Sequence, residues 1–203
     1  GEVVEEKHRG IGVALGHPLS EPLVAALDRA ELSGRAFRDA HAMKWSKLLT
    51  NLTGNATSAI LDETVAQLFA DRHTYDIELA VLRECLAVMK AKGYRVVDLP
   101  GTPVRALALA TRLPRFVAQP ALTRALGAGR GDKMPSFHID LHGGRGRTEV
   151  GFLNGAVARA GAGAGVPTPV NALLTDTLEA LSAGDLPLNT YRHDPDALLA
   201  RLP

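Results

Sequence analysis

Residues 133–169, KMPSFHIDLHGGRGRTEVGFLNGAVARAGAGAGVPTP, combine the polar side chains of an active-site wall with signals for where a helix begins and ends. Thr148 is suited to cap a helix, and Glu149 would then lie in the first turn, where the helix dipole favours an anion. The apolar residues that follow recur at helical spacing: Phe152, Leu153, Ala156, Val157 and Ala160. We therefore predict a helix that begins near Thr148 and buries one face.

Glycine and proline mark the borders of this stretch. Residues 161–165, GAGAG, can supply the positive-φ residue that ends a helix, and residues 166–169, VPTP, form a turn before a further helix that starts near Val170. On the other side, residues 127–132, GAGRGD, are typical of a loop. The polar segment between this loop and Thr148 is also predicted to be loop.

A second polar stretch, KWSKLLTNLTGN at residues 44–55, lies largely in a long helix predicted over residues 45–61. Lys47, Asn51 and Asn55 are spaced four residues apart, so on one helix they would form a stripe that faces one pocket. Each also has a structural interpretation, because a lysine can be a solvated charge and an asparagine can bond neighbouring backbone. The residues alone leave these alternatives open.

Together the two stretches resemble the C-terminal domain of the ketopantoate reductase (2-dehydropantoate 2-reductase) family. The matching residues are KWSKLLTNLTGN in one and KMPS, D, GR, TE, LNG, G and GVPTP in the other, and the resemblance covers approximately residues 9–185. It implies a mainly α fold, the all-helical ketopantoate reductase C-terminal (6-phosphogluconate dehydrogenase C-terminal-like) domain. A leftover strand and helix of a missing N-terminal Rossmann domain would precede it.

This family reduces ketopantoate, a 2-oxo acid, to pantoate with NADPH, a step of pantothenate biosynthesis. By the resemblance, Lys47 and Glu149 are the catalytic residues. The Lys47 ammonium would bind the carbonyl oxygen and assist its protonation, and Glu149 would hold Lys47 or a substrate hydroxyl. The same resemblance makes Asn51, Asn55 and Ser136 the substrate-binding residues.

Two departures from the family pattern leave the identity of the 2-oxo acid open. The loop after Ser136 is one residue longer than in many relatives, and Gly151 stands where many relatives have aspartate. Within the loop, Asp140 is expected to pair with Arg145 or Arg147 and to have a structural role, although the two arginines could also bind a carboxylate in bidentate fashion.

The resemblance also predicts the domain organisation. Residues 1–40 are expected to be the remnant of the end of a nucleotide-binding domain, and residues 41–203 the helical substrate-binding and catalytic domain. Residues 10–16, GIGVALG, are rich in glycine, but the preceding EEKHR cannot be the buried strand that a dinucleotide-binding fingerprint requires. We predict instead a strand over residues 9–15 and a helix over residues 20–33 that stops at Gly34. NADPH would then be bound mainly by a domain absent from this chain, and no cofactor-binding residue is assigned.

Helical periodicity predicts the remaining helices. They cover residues 62–70, 76–92, 103–110, 115–126 and 195–201, with a proline-broken connector over residues 96–102.

Composition excludes several classes of function. A formal net charge of +1 over 203 residues gives no electrostatic reason for nucleic-acid or membrane binding. The absence of a signal peptide and of an apolar run of about eighteen residues indicates a cytoplasmic protein. His138 and His142 flank Asp140 but form no HExxH pattern, so no metal is expected. The single cysteine, Cys85, lies on an apolar helix face and is expected in the core.

Two functions from different classes follow. The first is the catalytic-lysine half of an NADPH-dependent 2-oxo-acid reductase that acts on a small 2-oxo acid. This half would be inactive alone, and it is either cut from a longer protein or works with a separate nucleotide-binding domain as its partner. The second is a non-catalytic, domain-only homologue that acts in dimerisation or binds a small acid. A homodimer is implied by the resemblance in either case.

Overall fold

A computed structural model describes residues 9–130, 133–144, 146 and 148–202. Residues Val150–Phe152 form a short 3₁₀ helix. The order of the other elements is β1 (Ile11–Ala14), α1 (Ser20–Arg29), β2 (Gly34–Phe37), α2 (Ala40–Leu52), α3 (Asn55–Leu61), α4 (Val65–Ala70), α5 (Arg72–Ala91), α6 (Val104–Ala110), α7 (Arg115–Arg130), α8 (Ser136–His142), α9 (Asn154–Ala164), α10 (Pro169–Ala183) and α11 (Pro195–Leu199). The predicted mainly α fold is confirmed, since the described residues form only one sheet, of two strands.

The first elements form a small β-α-β unit. β1 and β2 pair in parallel, with Ile11 opposite Gly34 and the two strands in register up to Phe37. The predicted strand and helix are confirmed as β1 and α1, but the helix ends at Arg29, and Gly34 begins a strand that was not predicted. Glycine is required there because a Cβ atom would approach the Val24 carbonyl oxygen to 2.8 Å.

The predicted long helix over residues 45–61 is wrong, because it is broken between α2 and α3. Gly54 has a φ of +66° and is the N-cap residue of α3, which begins at Asn55. Its backbone N–H donates to Oε2 of Glu78 over 2.6 Å, and this glutamate is 1% exposed. Lys47 and Asn51 therefore share α2, whereas Asn55 is the first residue of α3.

α5 is the central helix of the core. It packs against α2, α4, α9, α10 and α11. Its inward face includes Val81, Leu82, Cys85, Val88 and Met89, all of which are fully buried. Cys85 is thus confirmed as a core residue, and burial raises the pKa of its thiol to about 12.

Residues 133–169 are organised differently from the prediction. The segment predicted as loop contains α8, which packs against α3, and the helix predicted to begin near Thr148 begins at Asn154. Glu149 instead precedes the 3₁₀ helix. The predicted helix end is confirmed, because Gly165 has a φ of +65° and closes α9.

The predicted loop over residues 127–132 is also corrected. α7 continues to Arg130 despite Pro120 within it, and residues 131–132 lie outside the described ranges. Across the described part of the chain, no helix combines the length and the apolar character needed to cross a membrane.

Candidate functional site

The two predicted site residues on α2 line the same cavity. Lys47 and Asn51 lie one helical turn apart and border a cavity of about 430 Å³ between α2, α6 and α7. Thr50 and Thr53 border it as well, so α2 supplies a polar wall. Asp39 fixes the start of this helix, since its carboxylate accepts the N–H of Ala42 over 2.9 Å.

The charged side chains that line this cavity are all cationic, and the wall opposite α2 is apolar. Arg9 and Lys47 are cationic, and no carboxylate is found among the described residues of the lining. The opposite wall is apolar and consists of Val104, Ala106, Leu107 and Ala110 from α6 and Ala121, Leu122, Ala125 and Leu126 from α7. Such a cavity suits a small anion with an apolar part. Sequence reasoning missed Arg9, Thr53 and the α6–α7 wall.

Asn55 and Ser136 contact each other but are not part of this lining. The Asn55 amide nitrogen donates to Ser136 Oγ over 3.4 Å, and its oxygen accepts the N–H of Phe137 over 3.1 Å. Asn55 is 7% exposed, so its amide links the first turns of α3 and α8 in a largely buried position. Lys47, Asn51 and Asn55 were predicted to face one pocket from one helix. Because the helix breaks at Gly54, only Lys47 and Asn51 line the cavity.

Glu149 lies outside the described lining of the cavity and is exposed to solvent. Its position before the 3₁₀ helix, rather than in the first turn of a long helix, removes the argument from the helix dipole. The predicted pairing of Asp140 with Arg145 or Arg147 involves two arginines that lie outside the described residues.

A cluster of Asp62, His138 and His142 lies where α3 ends against α8. Nε2–H of His138 donates to Asp62 Oδ1 over 2.6 Å, and Arg192 pairs with the other carboxylate oxygen. The rings of the two histidines stack with their centroids 4.2 Å apart, and His142 donates to the Ala59 carbonyl over 3.1 Å.

The three side chains of this cluster each offer a possible metal-ligand atom, within 4.8 Å of one another. Sequence reasoning did not include Asp62, because its partners are 76 and more residues away and α8 was predicted as loop. The hydrogen bonds of this cluster connect α8 to the end of α3, and the ion pair with Arg192 supports the same carboxylate. The cluster therefore has a structural role, which is to stabilise the packing of α8 against α3.

Replacing Asp62 by asparagine tests this task. The hydrogen bond from His138 is the largest cause that lowers the pKa of the Asp62 carboxyl below its ordinary value of 3.8, and the charge of Arg192 lowers this pKa further. Because the folded pKa is lowered, the stabilisation is complete above pH 3.8 and is lost as the pH falls through the folded value. We expect Asp62→Asn to lower the free energy of unfolding by about 1–2 kcal/mol at pH 7, with the difference vanishing in acid.

Urea denaturation of both proteins at several pH values measures this difference. Asparagine tolerates the left-handed backbone of residue 62, whose φ is +56°, so the change isolates the charge. An equal loss at pH 7 and at the acid end would contradict the assignment.

Comparison with known proteins agrees with the fold and with the predicted resemblance. The sequence model of the family described as ketopantoate reductase PanE/ApbA C terminal matches residues 39–182. The 2-dehydropantoate 2-reductase of Streptococcus pyogenes serotype M6 is 26% identical over 168 residues, which are 83% of this chain and 48% of that protein. The chain thus spans about half the length of the curated relatives it matches.

Two solved structures show the same fold. A PanE/ApbA family ketopantoate reductase from Ralstonia eutropha JMP134 superposes with a TM-score of 0.70 at 24% identity, over 88% of this chain and 53% of that one. D-mandelate dehydrogenase, in a ternary structure with NADH and anilino(oxo)acetate, superposes with a TM-score of 0.61 at 21% identity, over 88% of this chain and 86% of that one. Since the family match extends over well more than half of the sequence, the chain belongs to the ketopantoate reductase family, of which it contains the C-terminal domain.

Proposed function

We propose that this chain is the substrate-binding and catalytic-lysine domain of an NAD(P)H-dependent 2-oxo-acid reductase. The observation that carries the proposal is the shared cavity of Lys47, Asn51 and Arg9, which offers two cations and an amide to a small acid. The names of the relatives support it: one is a 2-dehydropantoate 2-reductase, and a structural neighbour holds NADH together with an oxo acid. Ketopantoate is accordingly the first substrate to test.

A volume of about 430 Å³ suits a small acid beside a nicotinamide ring but is too small for a whole dinucleotide. We therefore place most of the NADPH-binding surface outside residues 41–203, with β1, α1 and β2 as the end of a nucleotide-binding domain over residues 1–40. A dihydronicotinamide bound at the cavity would supply the hydride that adds to C2 of the 2-oxo acid.

The residues of α2 would serve the oxygen of the reacting carbonyl. The Lys47 ammonium donates to that oxygen, stabilises the negative charge that develops on it, and supplies the proton that completes the hydroxyl. Asn51, one turn further along α2, orients the acid through its amide. Arg9 adds a second cation, which suits the carboxylate.

Glu149, Asn55 and Ser136 keep their predicted roles as part of the proposal. Asn55 and Ser136 bond each other and would reach the substrate only from the joint of α3 and α8. Glu149 would reach Lys47 or a substrate hydroxyl only if the 3₁₀ segment moves toward the cavity on binding. These three are therefore secondary to Lys47 in any test.

Lys47→Gln is the variant that tests the proposal. We expect calorimetric titration to show that ketopantoate binds the wild-type chain, and that Lys47→Gln weakens its binding about 10- to 100-fold through loss of a charge-assisted hydrogen bond. The matched control is Lys44→Gln, because Lys44 is exposed on the same helix and lies outside the lining.

A titration with NADPH and an assay of its oxidation complete the experiment. We expect the isolated chain to bind the acid without oxidising NADPH, because turnover needs the nucleotide-binding domain. Equal affinity of the Lys47 and Lys44 variants would contradict a role for Lys47. Undiminished binding together with no turnover, even after a nucleotide-binding domain is supplied, would favour the non-catalytic acid-binding homologue.

A further inference from the structure

The cluster of Asp62, His138 and His142, where α3 ends against α8, contains a set of donor atoms that suits a metal ion. Each of the three side chains offers one ligand atom, and these atoms lie within 4.8 Å of one another. None of the three residues belongs to the described lining of the proposed substrate cavity. The cluster is therefore separate from the candidate active site, and what it binds is independent of the function proposed above.

The helix α8 brings the two histidines of this cluster to one face. His138 and His142 are four residues apart on α8, and their rings stack with the centroids 4.2 Å apart. Two histidines at this spacing on one helix are the arrangement by which zinc-binding helices hold their ion. The glutamate of the HExxH pattern, which this segment lacks, serves as a general base and is not needed to bind the ion. The sequence of α8 thus supplies two ligands.

Asp62 supplies the third ligand from the end of α3, of which it is the C-cap residue. Its Oδ1 lies 2.6 Å from Nε2 of His138, whereas Oδ2 pairs with Arg192. Because Arg192 holds one carboxylate oxygen, the other is left to coordinate an ion. The side chains of Asp62 and His138 are 16% and 14% exposed, so an ion between them would be partly shielded from water.

The distances within the cluster are close to those of a tetrahedral zinc site. Bond lengths of about 2.0–2.1 Å from zinc to nitrogen or oxygen place neighbouring ligand atoms of such a site about 3.3 Å apart. The distance of 2.6 Å between His138 and Asp62 falls below this value, and the limit of 4.8 Å for the whole set lies above it. Side-chain rotations that move the ligand atoms by about 1–1.5 Å therefore suffice to form the site.

We propose that Asp62, His138 and His142 bind a divalent transition-metal ion, and Zn²⁺ is the first ion to test. Two imidazoles and one carboxylate suit Zn²⁺, whereas Mg²⁺ and Ca²⁺ prefer ligand sets made of oxygen. The ion replaces the hydrogen bond between His138 and Asp62, and the proton of that bond moves to Nδ1 of His138 or to solvent. The bound ion links α3 to α8 and stabilises the folded chain according to its occupancy.

Titration of the chain with zinc chloride at pH 7 tests this proposal. The protein is purified without a polyhistidine tag, and the metal-free reference is the same protein in EDTA. We expect calorimetry to show saturable binding of one ion per chain. We also expect the thermal midpoint to rise by about 5–10 °C over the reference when free Zn²⁺ is about 100 times its Kd.

His142→Gln and His73→Gln are the matched variants. Glutamine at position 142 keeps a donor for the Ala59 carbonyl but has no ring nitrogen to bind the ion. His73 also lies against a carboxylate, with Nδ1 2.8 Å from Oδ1 of Asp196, but in the described part of the chain this pair belongs to no group of three ligand atoms. We expect His142→Gln and Asp62→Asn to weaken Zn²⁺ binding about 100-fold and His73→Gln to leave it unchanged.

Two outcomes would overturn the metal site. One is the absence of saturable Zn²⁺ binding by the wild-type chain, and the other is equal affinity of the His142→Gln and His73→Gln variants. The thermal midpoint of each variant in EDTA shows that it is folded. His142 is exposed, so its replacement costs little packing, and His142→Gln decides the question even if Asp62→Asn proves too unstable to titrate.

Discussion

Gly54→Ala is expected to lower the free energy of unfolding by about 3 kcal/mol, through backbone strain of roughly 1–2 kcal/mol and overpacking of roughly 1–3 kcal/mol. The strain arises because residue 54 has a φ of +66°, which side-chain-bearing residues adopt at a cost. The overpacking arises because the new Cβ atom would lie 2.8 Å from Cγ2 of Val65, inside the core. The hydrogen bond from the Gly54 N–H to buried Glu78 depends on the same backbone geometry.

Gly93→Ala separates the two contributions. Gly93 has a φ of +70°, but apart from its two chain neighbours no described residue places an atom within 4 Å of the position where its Cβ would be. Gly93→Ala should therefore lower the free energy of unfolding by the backbone strain alone, about 1 kcal/mol. Thermal denaturation of both variants and of the wild type can resolve this difference. Similar losses in both variants would show that contact with Val65 is not what requires glycine at the joint of α2 and α3.

The joint at Gly54 also shows where sequence reasoning stops. The spacing of Lys47 and Asn51 was enough to place both side chains on one face of α2, and both line one cavity. The same spacing failed for Asn55, because the helix break is set by Glu78 and Val65, which are 24 and 11 residues further along the chain. The spacing of residues within one segment cannot predict contacts with residues so far along the chain.

The long helices were predictable because their own sequences suffice. α5 and α10 have apolar residues at helical spacing over 20 and 15 residues. α5 begins after the capping residue Asp71, and α10 begins with Pro169 and ends at Gly184. The seven residues of α8, SFHIDLH, have no side-chain cap and alternate between polar and apolar side chains, which is not a helical period. Their helix is supported by contacts with α3 such as the bond from the Phe137 N–H to Asn55. The four-residue strand β2 likewise depends on pairing with β1. Short elements that depend on distant partners are the ones the sequence could not predict.

One wall of the candidate site could be predicted from the sequence, and the other could not. Its polar wall belongs to one helix and was predicted from residues 44–55. Its apolar wall comes from α6 and α7, more than fifty residues away from Lys47, and no local signal distinguishes a cavity wall from an ordinary core face. Thr53 was overlooked because its place in the lining depends on how α6 and α7 pack beside the end of α2.

The start of α10 depends on a distant carboxylate, and removing that carboxylate is the second large effect we expect. Glu84 of α5 accepts the backbone N–H groups of Val170 and Asn171 over 2.9 Å each and the Asn171 amide over 2.7 Å. The N-cap residue, Thr168, makes no capping bond of its own. Asn171 is fully buried and also accepts from Asn154 at the start of α9, so one carboxylate fixes two helix starts.

Glu84→Ala is therefore expected to lower the free energy of unfolding by about 3–4 kcal/mol, because hydrogen bonds to a charged group are lost and buried donors are left without a partner. Glu84→Gln should lose less, since one acceptor oxygen remains, and Glu179→Ala should change stability by no more than about 0.5 kcal/mol, since that side chain is exposed on α10. Urea denaturation gives all three values. If Glu84→Ala is as stable as Glu179→Ala, water replaces the carboxylate at the first turn of α10, and the helix is held by its apolar face alone.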